Sequence, residues 1–169
     1  PLAEINTLAE DIPAGADSVV MELDVGNVGP LICFDSIYER NAMDSLRNGA
    51  QLLAVSTNDS WFTDSRGVWM HHAQSQLRAI ETGRYVVRSA NTGVSSVIND
   101  RGEVLELLEP LKTGYVLEVA YLSDRVTVYS VIGNVFAYVC VAVCAAAILC
   151  PVAERMTDRF RGKGKNVPA

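Results

Sequence analysis

The chain has 169 residues, 49% of them hydrophobic and 20% charged, with a formal net charge of −6. That length and apolar content are enough for one globular domain with an adequate core, and the acidic balance argues against strong nucleic-acid binding. Of the four cysteines, Cys140, Cys144 and Cys150 share one apolar run, which leaves Cys33 without an evident disulfide partner.

The sequence opens at Pro1 with no apolar signal segment and stays polar through Ser18, so the chain is expected to begin inside a larger protein. Residues 19–25 alternate as a half-buried strand, and Gly26-Asn27 is expected to turn it back into a second strand that ends at Cys33. Asp35 and Ser36 are N-cap residues, and Ile37, Tyr38, Met43 and Leu46 suit a helix over residues 36–48, closed by Asn48-Gly49. Residues 51–57 read as a buried strand, which completes a βαβ unit. The following loop, Asn58-Asp59-Ser60-Trp61-Phe62, is expected at the same sheet edge as Cys33.

A helix over residues 68–83 follows, with Ala73, Leu77 and Ile80 on one face and Arg78 and Glu81 available for polar contacts. Four short strands are expected next, at residues 85–89, 94–98, 104–108 and 114–119. The turn signals between them are Asn91-Thr92-Gly93, Asp100-Arg101-Gly102 and Pro110-Leu111.

Residues 126–153 carry no charge, and residues 131–152 form an apolar run whose only strongly polar side chain is Asn134. At ~1.5 Å per residue the run reaches about 33 Å, enough for a hydrocarbon core of ~30 Å, so a transmembrane helix is expected. Beyond it, Arg155, Arg159, Arg161, Lys163 and Lys165 stand against Glu154 and Asp158, which is five minus two, or +3, and leaves −9 of the total −6 on residues 1–152. The basic tail is then expected to be cytoplasmic and the acidic portion to lie across the membrane. Tyr129, Phe136 and Tyr138 would sit toward the outer interface. Cys140 and Cys144 share a helix face, but two thiols without His or carboxylate make a poor metal site.

Cys33 ends an apolar run where a helix-starting pattern takes over. A thiol at such a turn is suited to covalent catalysis, because the helix N-terminus favours thiolate and offers backbone N–H groups to an oxyanion. The alternative is a small buried core residue.

Leu31-Ile32-Cys33-Phe34-Asp35-Ser36 resembles the Cys-Tyr-Glu elbow of carbon–nitrogen hydrolases, and in particular that of the apolipoprotein N-acyltransferase family. Asn58-Asp59-Ser60-Trp61-Phe62 is similar to that family's Asn-Asp-Ala-Trp-Phe. Asp64-Ser65-Arg66-Gly67 through His71, Leu77 through Arg84, and Arg88-Ser89-Ala90-Asn91-Thr92-Gly93-Val94-Ser95 extend the resemblance, as do Thr127, Tyr129, Gly133 and Asn134.

The resemblance implies an α/β fold, the C-terminal portion of a nitrilase-like αββα sandwich followed by one transmembrane helix. Residues 1–125 would belong to the hydrolase domain, residues 126–153 to the span and residues 154–169 to the tail. It further implies a Glu–Lys–Cys triad in which Glu is the base, Lys supports the oxyanion and Cys carries a thioester. The family's Glu and Lys both precede the cysteine. Here no Lys precedes Lys112, and Glu4, Glu10 and Glu22 have no matching motif around them, so neither role is carried over. Cys33 would be the nucleophile and the Phe34 backbone N–H an oxyanion donor. Phe34 stands where the family has Tyr, and Asp35 occupies the family's Glu position.

Trp61 and Phe62 would wall an acyl pocket, or serve as core aromatics under a loop. Asp59 is expected to cap its loop and Asn91-Thr92-Gly93 to form a turn whose backbone approaches the site, while Glu81 and Arg84 would belong to a structural polar network or touch substrate. His71 and His72, adjacent on a helix, point apart, which favours a structural role or a pocket edge over metal binding. The implied reaction moves an acyl chain from a membrane phospholipid donor to the amine of a diacylglyceryl lipoprotein acceptor, at a bacterial cytoplasmic membrane, with an extracytoplasmic catalytic domain. It requires no metal or cofactor. The alternatives are an amide hydrolase and a non-catalytic membrane-anchored domain.

Overall fold

The structure, a computed structural model, describes residue 15, residues 17–63 and residues 65–163, with side chains described as far as Pro151. Two compact units are present, Pro1–Thr127 and Val128–Ala169. Glu4, Glu10 and the side chains of the basic tail lie outside the described residues.

The first unit is built on a six-stranded sheet whose spatial order is the chain order. Its strands are β1 (Met21–Leu23), β2 (Gly26–Ile32), β3 (Leu52–Asn58), β4 (Tyr85–Asn91), β5 (Ser95–Ile98) and β6 (Val104–Leu108). β2, β3 and β4 are parallel, and the pairs at either side are antiparallel. The β1–β2 hairpin turns at Asp24-Val25 and not at Gly26-Asn27, because Gly26 already pairs with Leu23. Residues 114–119, expected as a strand, are not one; Tyr115 and Leu117 are exposed.

Parallel strands need crossovers, and helices α1 (Glu39–Arg47) and α2 (Arg66–Thr82) supply them. Ala42 of α1 and Ala79 of α2 pack with Leu31, Leu53, Val55, Val86 and Ile98 of the sheet in one core. The helix expected over residues 36–48 is divided: a 3₁₀ turn, Cys33–Ser36, precedes α1, and extended Tyr38 separates them.

The apolar residues grouped on one face of α2, Ala73, Leu77 and Ile80, lie outward. Leu77 and Ile80 are exposed, as are Trp69 and Met70, while Val68, His71, His72, Ser75, Arg78, Ala79 and Thr82 are buried. The cause lies beneath the helix, where the sheet and its loops present Arg88, Ser96 and Asp59. Buried polar groups require polar partners, and α2 provides them.

The second unit contains α3 (Val128–Ile132) and α4 (Val135–Lys163). Between them Gly133 takes a left-handed φ of 55°, its N–H donating to Tyr129 O at 2.7 Å, while Tyr129 Oη donates to Asn134 Oδ1 at 2.9 Å. The run expected as one span over residues 126–153 is thus divided between two helices. Among the described residues no helix is long and apolar enough to cross a membrane. The described part of α4 is nonetheless apolar and exposed, as at Phe136, Val141, Val143, Ile148 and Leu149.

Candidate active site

Register brings the site together. Ile32 pairs with Ser56, and Asn58 with Asn91, so the carboxyl ends of β2, β3 and β4 lie side by side and their loops share one sheet edge. The Asp59 N–H donates to Asn91 O at 3.1 Å, joining two of those loops.

Cys33 stands at the first of them, half-buried, with φ 52°. A non-glycine residue in this left-handed region is strained and persists only where its surroundings over-determine it. The Ile32 N–H donates to Asp35 Oδ2 at 3.0 Å, and Asn41 Nδ2 donates to Asp35 Oδ1 at 3.2 Å. Asp35 therefore clasps the turn from outside, with both oxygens occupied, and is not aimed as a base at the thiol. The Phe34 N–H lies in the first turn of the 3₁₀ segment, where donors lack intrahelical acceptors. That is the arrangement an oxyanion donor needs.

From the inside, Ser36 Oγ donates to Cys33 O at 2.8 Å and lies 3.3 Å from His71 Nε2. His71 Nδ1 is 2.8 Å from Asp59 Oδ1, and Arg88 Nη2 donates to Asp59 Oδ2 at 2.8 Å. Thr57 Oγ1 also donates to Asp59, and Arg88 reaches Ser75 Oγ and Val94 O. Ser36, Asp59, His71 and Arg88 are 0, 1, 3 and 2% exposed, so water does not solvate these polar groups and they depend on one another. Burial pushes the Asp59 carboxyl up, but the His71 hydrogen bond, the Arg88 charge and the Thr57 hydroxyl outweigh it and hold the group below its ordinary range. Burial lowers the Arg88 pKa, opposed chiefly by Asp59 and also by the negative charge of Cys33 as thiolate. Gly93 is required against this cluster, because an added Cβ would overlap Asp59 Oδ2.

Three rings cover the cluster. Phe34 lies 5.4 Å from His71 and 6.2 Å from Phe62, and Phe62 lies 5.9 Å from His71, centroid to centroid. Phe62 also presses on Gly67 at the start of α2, where a Cβ would meet its Cδ1 at 2.6 Å. Trp61 is 71% exposed and so stands apart from this packing. A cavity of about 790 Å³ lies on the α1 side of the elbow, lined by Asp35, Arg40, Asn41 and Arg47 among others, and neither Trp61 nor Phe62 borders it.

His71 and His72 diverge, the second engaging Ser96 Oγ at 2.9 Å. Among the described residues no group of three or more His, Cys, Asp or Glu side chains is placed to hold a metal ion. Glu81 pairs with Arg78, which also donates to Ile37 O at 2.7 Å, and Arg84 caps main-chain carbonyls. Sequence reasoning did not find the Ser36–His71–Asp59–Arg88 chain. Its one local signal is a charged residue in the inward register of β4, two positions after buried Val86.

Residues 5–127 match the carbon–nitrogen hydrolase family. The chain belongs to that family. It is similar to the apolipoprotein N-acyltransferase of Geobacter metallireducens, 32% identical over 145 residues that make up 86% of this chain and 27% of that protein. It is 31% identical to the Gloeobacter violaceus apolipoprotein N-acyltransferase over 160 residues, 95% of this chain and 30% of the other. The chain thus spans about a third or less of the curated relatives it matches. Among solved structures, an amidase from Nesterenkonia sp. superposes with a TM-score of 0.53 at 23% identity, over 68% of this chain and 46% of that one, and shares the nitrilase-like α/β fold.

Proposed function

We propose that this chain is the C-terminal portion of a membrane acyltransferase that moves an acyl chain from a phospholipid to the N-terminal amine of a diacylglyceryl-cysteine lipoprotein. The observation that carries the reading is Cys33 itself, a thiol held at a left-handed φ where a parallel strand enters a 3₁₀ turn. Exposed Ile32 and Phe34 on either side, with Trp61 on the adjoining loop, suit an acyl chain better than a small polar amide. The exposed apolar face of α4 suits contact with lipid, and the relatives named above carry the same activity in their names.

In this reading the Cys33 thiolate attacks the phospholipid ester carbonyl, and the oxyanion is met by the Phe34 N–H. The lysophospholipid oxygen leaves with the proton that the thiol gave up, through a base outside the described residues. The lipoprotein amine then attacks the thioester, forming the amide and returning the thiol.

The test is acylation of the full-length protein with a phospholipid donor. The wild type is expected to carry a hydroxylamine-sensitive acyl group on the Cys33 peptide, and Cys33→Ala none. Undiminished acylation of the Cys33→Ala protein would overturn the assignment.

A further inference from the structure

We propose that the buried chain Ser36–His71–Asp59–Arg88 is the positioning device of the nucleophile: it sets the Cys33 turn through the Ser36 hydroxyl on the Cys33 carbonyl. The proposal rests on the reading of Cys33 as the acylated residue and adds the residues that hold it in place.

The elbow is clasped on two sides. Outside, Asp35 bonds the Ile32 N–H and Asn41; these residues reach solvent and belong to the turn and to α1. Inside, the Ser36 hydroxyl donates to the carbonyl of the strained residue itself, at 2.8 Å. A hydroxyl alone rotates. His71 Nε2 lies 3.3 Å from it, and His71 is held in turn by Asp59 at 2.8 Å, whose second oxygen is taken by Arg88 at 2.8 Å.

The four residues come from four elements: the 3₁₀ turn, the loop after β3, α2 and β4. The chain therefore ties the thiol's backbone to the centre of the sheet and to the helix over it. Burying four polar side chains is a poor way to stabilise a core, since apolar residues of similar volume do as well or better. Placed behind a reacting turn, the same cost secures a geometry, and displacement of about 1 Å at a reacting atom costs on the order of 100-fold in rate. None of the four reaches substrate; they act through Cys33.

The experiment compares the wild type, Ser36→Ala and Asp59→Asn in the full-length protein, with kcat and KM measured on a phospholipid donor per mole of folded enzyme. Mass analysis of the Cys33 peptide and the thermal midpoint accompany the kinetics. Ser36→Ala removes only an oxygen, and Asp59→Asn keeps the shape while cancelling the charge. Both are expected to lower kcat by about 10- to 100-fold and to leave KM within about twofold, because the donor site is untouched and the attack geometry is not. Unchanged kcat in both variants overturns the proposal and leaves the function standing, provided that the wild-type Cys33 peptide is acylated. If activity falls only in step with the folded fraction in both, the chain is structural and the proposal fails. An unacylated Cys33 peptide in the wild type overturns the functional reading and this proposal together.

Discussion

His72 sits beside the positioning chain without belonging to it, its Nε2 on Ser96 and its ring edge-on to Trp69, 6.4 Å between centroids. Burial holds its pKa down from 6.5 to about 4, with the Arg88 charge adding to the effect and Asp59 opposing it. An unfolded chain takes up this proton near pH 6.5 and the folded chain only near pH 4, so the contribution is complete above pH 6.5 and is lost as pH falls between the two. By pH 4 the loss is roughly 3 kcal/mol. His72→Gln is expected to flatten that limb: its urea midpoint should fall less than that of the wild type between pH 7 and pH 4.5. An identical slope in both proteins would place the acid sensitivity elsewhere.

At the scale of elements, Arg84 joins three segments. It is 5% exposed, and it donates to Ala50 O before β3 at 2.8 Å, to the carbonyls ending α2, and to Arg125 O at 2.7 Å. Arg84→Met should strand those carbonyls and cost about 2–4 kcal/mol in urea unfolding, while Arg84→Lys should recover only part, since one ammonium cannot span both directions. Equal stability of Lys and Arg at this position would refute the clamp. Elements of this kind were legible where the local signal was strong: the βαβ unit, α2 and the β4–β6 strands follow from period and turn residues. The turn at Asp24-Val25 was not, because Gly26-Asn27 is the stronger chemical signal and pairing overruled it. The buried face of α2 was not legible, because periodicity finds the apolar stripe without showing which side of the helix is covered. Here the buried stripe is the polar one, and its partners at residues 36, 59, 88 and 96 are distant in sequence. Cys33 was legible from its own neighbours, whereas the chain behind it exists only once four elements meet.

For the molecule as a whole, we infer that these 169 residues alone do not turn over. Asp35 is occupied on both oxygens, exposed Glu22 lies on the outer strand β1, and no Lys precedes Lys112. Purified in detergent and given phospholipid with a diacylglyceryl peptide, the chain is expected to show no amide product while the full-length enzyme does. Comparable turnover would mean that residues present here supply both the base and the oxyanion cation. The sheet carries a separate consequence for biogenesis. Because spatial order equals chain order from β1 to β6, each strand meets its partner as soon as it leaves the ribosome, and none must be inserted between two already paired. The antiparallel pairs close over short turns, whereas the parallel pairs wait for their crossover helices. The sheet can grow at one edge throughout synthesis, and the elbow's supports arrive in sequence: Ser36 with the first crossover, Asp59 and His71 after β3, and Arg88 last, in the strand that completes the parallel core.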